Sequence, residues 1–305
     1  MMRHLREAYP QLSPQLRRAA RYMLDRPDEV ALSSMRQLAG QAGVQPATMV
    51  RLAKQLGCGG YAELRESFRD RLLARRDAYG ARARRLQARN DLRPAADAAR
   101  DGLASLAEEM FRADSDNLAT TLARCEPARL ATAARSLDGA RRLYVVGSRS
   151  LFPAAFSLHY GCRLFRDGTI LLDGRGGTFH DALRGLDRDD AMVAFSVAPY
   201  SRDAVAAAAF AAERGAPVVA VTDSPVAPLA RLAAHALLVA NDSPALFDSV
   251  VSAMAVAQVL VAQLLAQGGP AALAAVGESE AQLARFDAYW PDTELVEAAN
   301  GKALP

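Results

Sequence analysis

Apolar residues recur with two different periods along this chain, and the change falls near residue 141. Before it the spacing is helical. Ser13-Pro14 offers an N-cap followed by proline at the first helical position, which predicts a helix to about Asp25, ended by Pro27. Ser34 and Gln37 have capping-box spacing and predict a helix over Met35–Ala42. Gly43 supplies the positive backbone angle of a sharp turn, and Pro46 opens a helix to about Leu56. Gly57, Gly59 and Gly60 close it, and a further helix begins near Tyr61. From about 77 to 140 the chain is rich in Ala and Arg without a strand signal, which predicts a linker and two helices with a break over Asp91–Pro94. Beyond 141, short apolar runs recur 18 to 26 residues apart: Leu143–Val146, Thr169–Leu172, Met192–Phe195, Val218–Val221 and Ala236–Val239. With helical stretches expected between them, they predict a parallel, doubly wound sheet with helices on both faces.

The expected organisation is an all-α helix-turn-helix domain over residues 1–76 and helical lead-in segments over 77–140. A three-layer α/β domain with a five-stranded parallel sheet follows over 141–268, then a C-terminal tail over 269–305. With 51% hydrophobic and 23% charged residues, the chain is globular rather than disordered. Its net charge of +3 conceals an asymmetry: residues 1–90 hold 18 basic against 8 acidic groups, the remainder 19 against 26. A basic module joined to a mildly acidic one points to a polyanionic partner for the first. The start lacks the apolar stretch of a secretion signal, so a cytoplasmic location is expected. The apolar run Val250–Ala266, interrupted by Ser252, Gln258 and Gln263, reads as a buried helix rather than a membrane span. Cys58, Cys125 and Cys162 lie far apart and without clustered His, which argues against a disulfide framework or a zinc site. Nothing calls for a metal or a cofactor.

Residues 35–57 carry the first chemistry. Ala39 is small where two helices cross, Gly43 bends the chain, and Leu38, Val44, Met49, Leu52, Ala53 and Leu56 supply a shared core. The opposite face of the helix from Pro46 presents Ala47, Thr48, Arg51, Lys54 and Gln55. Arg can bind guanine bidentately, Gln can bind adenine, and Lys or Thr can hold phosphate, so this face suits a DNA groove. An ordinary helical hairpin with a solvated face is the plainer alternative. A second chemistry lies where ligands of parallel sheets bind, beyond the strand C-termini. Gly147-Ser148-Arg149-Ser150, Ser196-Val197-Ala198-Pro199-Tyr200-Ser201 and Thr222-Asp223-Ser224 bring hydroxyls to that edge, and Arg149 and Arg202 add charge. Hydroxyls and free N–H groups at helix starts make an anion site, although any one of them is as easily a simple N-cap.

The segment from Leu12-Ser13-Pro14 through Gly57, with Gly60-Tyr61-Ala62-Glu63-Leu64, resembles the N-terminal domain of RpiR-type bacterial transcriptional regulators, and residues 140–265 resemble a sugar-isomerase (SIS) domain. The resemblance implies a homodimeric or homotetrameric regulator that binds a double-stranded DNA operator and responds to a small anionic metabolite, a sugar phosphate or a relative of one. It also implies phosphosugar contacts at Ser148, Ser150, Ser196 and Ser201, to which Thr222 and the loop residue His180 are added by their place at the same edge. Ala198 and Pro199 depart from the usual Ser and Gly of the second loop, and Gln45 replaces a common serine before Pro46.

The competing function is a phosphosugar isomerase or lyase with an accessory helical domain. Aldose–ketose isomerisation needs a base beside the reacting carbons. No Glu occurs between Asp223 and Gly277, and Tyr200 stands where several sugar isomerases carry Glu. His180 beside Asp181 is the best base left, and neighbouring residues rarely form an orienting pair. A regulator without catalytic residues is therefore the expectation.

Overall fold

The computed structural model describes residues 4–5, 8–75, 78–91 and 96–290. The N-terminal region is helical. Helix α1 (Pro14–Asp25) has Ser13 at its N-cap position and Pro14 in its first turn, although the Ser13 hydroxyl accepts no capping bond. Pro27 ends α1 and also starts α2 (Pro27–Leu32), since a residue without an N–H costs nothing at a helix start. Helix α3 (Met35–Ala42) carries the complete capping box between Ser34 and Gln37. It ends on Gly43 in the left-handed region (φ 63, ψ 40), with Val44 N–H donating to the Ala39 carbonyl at 3.0 Å. Helices α4 (Pro46–Gln55) and α5 (Tyr61–Arg75) complete the region. Leu38, Ala39, Met49, Leu52 and Ala53 share one buried cluster with Met23, Val30, Leu64 and Phe68.

Helices α6 (Ala78–Asp91), α7 (Ala96–Cys125) and α8 (Pro127–Asp138) lead into the sheet. The break expected over Asp91–Pro94 falls at the end of α6 and otherwise outside the described residues. The sheet is all-parallel, in the order β2-β1-β3-β4-β5, with β1 (Leu143–Gly147), β2 (Thr169–Leu171), β3 (Ala191–Phe195), β4 (Val218–Thr222) and β5 (His235–Leu238). β1, β3 and β4 are buried at every position, as expected where helices cover both faces. Leu143, Val145, Val193, Phe195, Val219 and Val221 pack under α8, α9 (Phe152–Arg163) and α12 (Val251–Gln267). Tyr144, Val146, Met192, Ala194, Val218 and Ala220 pack under α10 (Arg202–Glu213) and α11 (Pro228–Leu232).

Two expectations need correction. Between β2 and β3 there is no long helix but only the 3-10 turns Arg175–Gly177 and Asp181–Leu183; Gly174, Gly176 and Gly177 all take positive φ, which a helix cannot continue through. The run at 250–266 does form a helix, α12, but only one face is buried: Val251, Val259 and Leu265 remain 37% exposed. Within the stretch expected as a tail, Gly269–Arg285 forms α13, tied to the end of α9 by the Ser279 hydroxyl donating to the Leu164 carbonyl at 2.8 Å.

The lower edge of the sheet, at the strand N-termini, is closed by charge. Asp190 is 1% exposed and accepts bidentate bonds from Arg141 (3.0 and 3.0 Å) and Arg142 (3.1 and 2.9 Å) and a third contact from Asp187 N–H at 3.0 Å. Burial pushes the Asp190 carboxyl up, but the guanidiniums and the N–H outweigh it and hold the group well below the ordinary carboxylate range.

Candidate functional site

The strand order reverses between β1 and β3, and such a switch point opens a crevice beyond the strand C-termini. The two loops that flank it are those the sequence singled out. Gly147 is required by close approach: a Cβ there would stand 2.8 Å from Ala155 Cβ and 2.9 Å from the Leu151 carbonyl oxygen. Arg149 follows at φ 56, a left-handed conformation that costs a non-glycine residue roughly 1–3 kcal/mol and concentrates at ligand clamps. Ser148 is half-buried and Ser150 exposed, and neither hydroxyl is engaged by another of the described residues. These two are open to a ligand.

The second loop differs. Ser196 is 3% exposed, and its Oγ accepts the Ser201 N–H at 2.9 Å across a turn that contains the cis Ala198–Pro199 bond. Ser201 Oγ accepts the Ala204 N–H at 3.4 Å and so caps α10. Thr222 is fully buried, its Oγ1 3.5 Å from Asp223 Oδ1. Ser196 and Thr222, expected as ligand contacts, are built into the frame of this edge: one braces the loop by accepting an N–H, the other ends a buried strand. Ser201, half-buried, keeps its own O–H to donate while it accepts from Ala204. Arg202, exposed in the first turn of α10, stands beside it. His180 is exposed on the separate β2–β3 loop with its ring edge-on to Phe179, while the neighbouring Asp181 is bound to Arg184 at 2.7 Å. Among the described residues, no carboxylate orients His180. The cysteines are all buried, and burial pushes the Cys162 thiol up to about 12, which leaves it a poor nucleophile.

On the helical region, α4 exposes Ala47, Arg51, Lys54 and Gln55 on one face. Thr48 is the correction here. It is 2% exposed, one step round the helix towards the core, and its Oγ1 accepts Arg51 Nη2 at 3.4 Å. Thr48 thus steadies Arg51 and does not face outward. Neither α3 nor α4 has an acidic residue in its first turn, so no carboxylate of their own offsets the positive ends of their dipoles. Gln45 supplies no side-chain cap to α4. Sequence reasoning missed Arg18: its guanidinium comes from α1 and lies 3.4 Å from where a Gly43 Cβ would sit, adding a cation at the turn between α3 and α4. No local signal in the sequence joins the two positions.

A second omission lies on α7. Its residues Asn117, Thr121 and Cys125 line up at helical spacing along the β5 end and the loop beyond. Asn117 exchanges bonds with Asp242 at 2.7 and 3.0 Å, Thr121 Oγ1 accepts Ala240 N–H at 2.9 Å, and the Cys125 thiol donates to the Leu238 carbonyl at 3.3 Å. Helix α6 grips the same loop through Arg82, bound to the Asp248 carboxylate and the Leu246 carbonyl, and through Tyr79 against Phe247. Polar residues four apart in an alanine-rich helix were the legible clue.

Comparison with known proteins agrees with both halves. The family description "SIS domain" matches residues 136–263, and "Helix-turn-helix domain, rpiR family" matches residues 1–74. The sugar isomerase domain of an RpiR transcription factor from Sphaerobacter thermophilus is 36% identical, covering 57% of this chain and 98% of that one, with a TM-score of 0.53. The Vibrio vulnificus NanR protein complexed with ManNAc-6P is 22% identical, covering 93% of this chain and 98% of that one, with a TM-score of 0.53; at that identity it speaks to the fold. A glutamine–fructose-6-phosphate aminotransferase (isomerizing) of Pyrobaculum aerophilum is 32% identical over 108 residues, a match covering 35% of this chain but only 18% of that enzyme.

Proposed function

Because this chain belongs to the RpiR family, with its helix-turn-helix and SIS domains, we propose that it is a DNA-binding transcriptional regulator whose SIS domain binds a phosphorylated sugar or a related anionic metabolite. A homodimer or homotetramer presents paired α4 helices to an operator, and the division into 1–76, 77–140, 141–268 and 269–305 assigns DNA reading to the first segment and ligand binding to the third. The single observation that carries the reading is the acid-free α4 face, where Ala47, Arg51, Lys54 and Gln55 stand exposed together with Arg51 steadied from behind. Arg51 reads a base edge and Lys54 holds phosphate.

The ligand's anionic group is held by Ser148, Ser150 and Ser201 with Arg149 and Arg202, and His180 contacts the distal part of the ligand. Ligand occupancy reaches the DNA through the 241–250 loop, because α6 and α7 are fastened to that loop and α6 follows α5 of the helical region in the chain. A coupling of about 1–3 kcal/mol changes DNA affinity roughly 5- to 150-fold.

An isomerase reading draws on the aminotransferase similarity, but the open residues at this edge include no carboxylate-oriented base, so binding without turnover is the proposal. The test is a thermal-shift screen with glucose 6-phosphate, fructose 6-phosphate and N-acetylmannosamine 6-phosphate, with inorganic phosphate as control. A sugar phosphate at about 100 times its Kd adds about 2.7 kcal/mol of stability. Conversion of the bound sugar phosphate, followed by NMR, would replace the regulator with the enzyme.

A further inference from the structure

The Ser279 hydroxyl holds α13 against the carbonyl of Leu164, the residue that ends α9. Beyond Arg285 the chain doubles back: Asp287 and Ala288 N–H donate to the Ala284 and Leu283 carbonyls at 3.2 and 3.1 Å. Asp287 takes φ 47 at this turn, a left-handed cap where glycine is usual. The turn, α13 and the end of α9 enclose a half-open cavity of about 650 Å³, within the range of about 300–1,000 Å³ for ligand pockets. Leu164, Val276 and Leu283 give it an apolar lining, and Tyr289 and Trp290, 68% and 49% exposed, add two aromatic rings. Among the described residues, Glu280 and Asp287 are the only charged groups that line it, and neither carboxylate is paired. The helix ends add to the negative field, since a helix C-terminus carries roughly half a negative charge. Arg163 and Arg285 stand in the last turns of α9 and α13 but do not line the cavity, and Arg163 is turned to the Asp167 carbonyl at 2.8 Å.

We propose that this cavity binds a linear aliphatic polyamine. Glu280 and Asp287 are seven residues apart, on the order of 10 Å along the helix axis. Two carboxylates so separated, with apolar side chains between them, match ammonium groups spaced along a methylene chain. The ammoniums pair with Glu280 and Asp287, the methylenes lie on Val276 and Leu283, and the rings of Tyr289 and Trp290 attract the same cations. A sugar phosphate is repelled here. The cavity is also remote from the first ligand loop, which lies at the other end of α9, about 18 Å away. Helix α13 and the turn after it lie beyond residue 263, where the SIS similarity ends. The proposal goes beyond the regulator reading and does not rest on it.

Trp290 is the single tryptophan of the chain, so its fluorescence reports on this cavity. Titration of the full chain with spermidine, without DNA or sugar phosphate, is expected to change Trp290 emission saturably. Octanediamine does the same, putrescine binds more weakly because its shorter chain reaches only one carboxylate, and uncharged octanediol does not bind. Glu280→Gln and Asp287→Asn each weaken spermidine roughly 2- to 5-fold, as loss of one exposed ion pair does, and the double variant weakens it further. Asn tolerates the left-handed backbone at 287, and an unchanged melting temperature without ligand verifies the fold. Glu213→Gln on α10 leaves binding unchanged, which separates the cavity from general attraction to acidic surface. The proposal is overturned if millimolar spermidine moves neither Trp290 emission nor melting temperature, or if the double variant binds as wild type does. Octanediol or putrescine binding as well as octanediamine also overturns it, as does equal weakening by Glu213→Gln. In every such case the regulator reading stands.

Discussion

The α4 helix and the sheet's upper edge were both marked by short runs of polar residues, yet they hold those residues differently. On α4, four of the five marked side chains face solvent, because a helix of fixed period decides exposure by position alone. At the sheet edge, Ser196, Ser201 and Thr222 are drawn into the frame as brace, cap and strand end, while Ser148 and Ser150 are left open. A loop has no ladder to satisfy its backbone, so it spends its own hydroxyls on that task first. Polar residues on a helix face advertise a surface; polar residues in a loop must be counted after the loop has taken its share.

The largest effect tests whether the lower edge of the sheet is frame alone. Asp190→Ala leaves two guanidiniums facing a buried gap and is expected to cost about 3 kcal/mol, read by urea unfolding. Asp190 is held below its usual range in the folded chain, so its contribution is present above about pH 4 and is lost as pH falls through the folded value. Wild-type stability therefore declines on acidification more steeply than that of Asp190→Ala, and ligand binding at pH 7 by any folded variant stays intact. Next, Arg51→Ala is expected to weaken binding to a specific duplex by about 1–3 kcal/mol and to relax sequence preference, measured by fluorescence anisotropy. Uniform weakening on all sequences would move Arg51 from base to phosphate.

Smaller effects separate cap from contact. Ser201→Ala removes the α10 cap and lowers stability by about 1 kcal/mol, whereas Ser148→Ala stays within roughly 0.5 kcal/mol of wild type. Both weaken the sugar phosphate in calorimetry, so a stability loss confined to Ser201 sharpens the contrast between working and open hydroxyls. At the bottom of the scale, Gln45→Ser gives α4 the cap it lacks and raises stability by about 0.5 kcal/mol. A melting temperature that falls instead would mean Gln45 serves a role beyond the cap position.

The fold was legible where the chain is punctuated locally. Ser34 and Gln37 announced their capping box, Gly43 its turn, and the strands their apolar runs, because each signal acts within one helical turn or one strand. The β2–β3 connection was misread because glycines at 174, 176 and 177 outweigh the helical content around them. Thr48 was misread because a helix face has edges: it lies one step beyond Ala47, on the buried side of the boundary. Arg18 at the turn stayed hidden, and of the α7 grip on the β5 end only the four-residue polar spacing was legible, since each joins segments that only the tertiary structure brings together.

The most direct measurement is the affinity of one protein preparation for duplex DNA with and without saturating amounts of the sugar phosphate that raises its melting temperature. The account predicts a change of about 5- to 150-fold, lost in the Ser148→Ala, Ser150→Ala double variant while DNA binding itself persists. An affinity that saturating ligand leaves unchanged would contradict it.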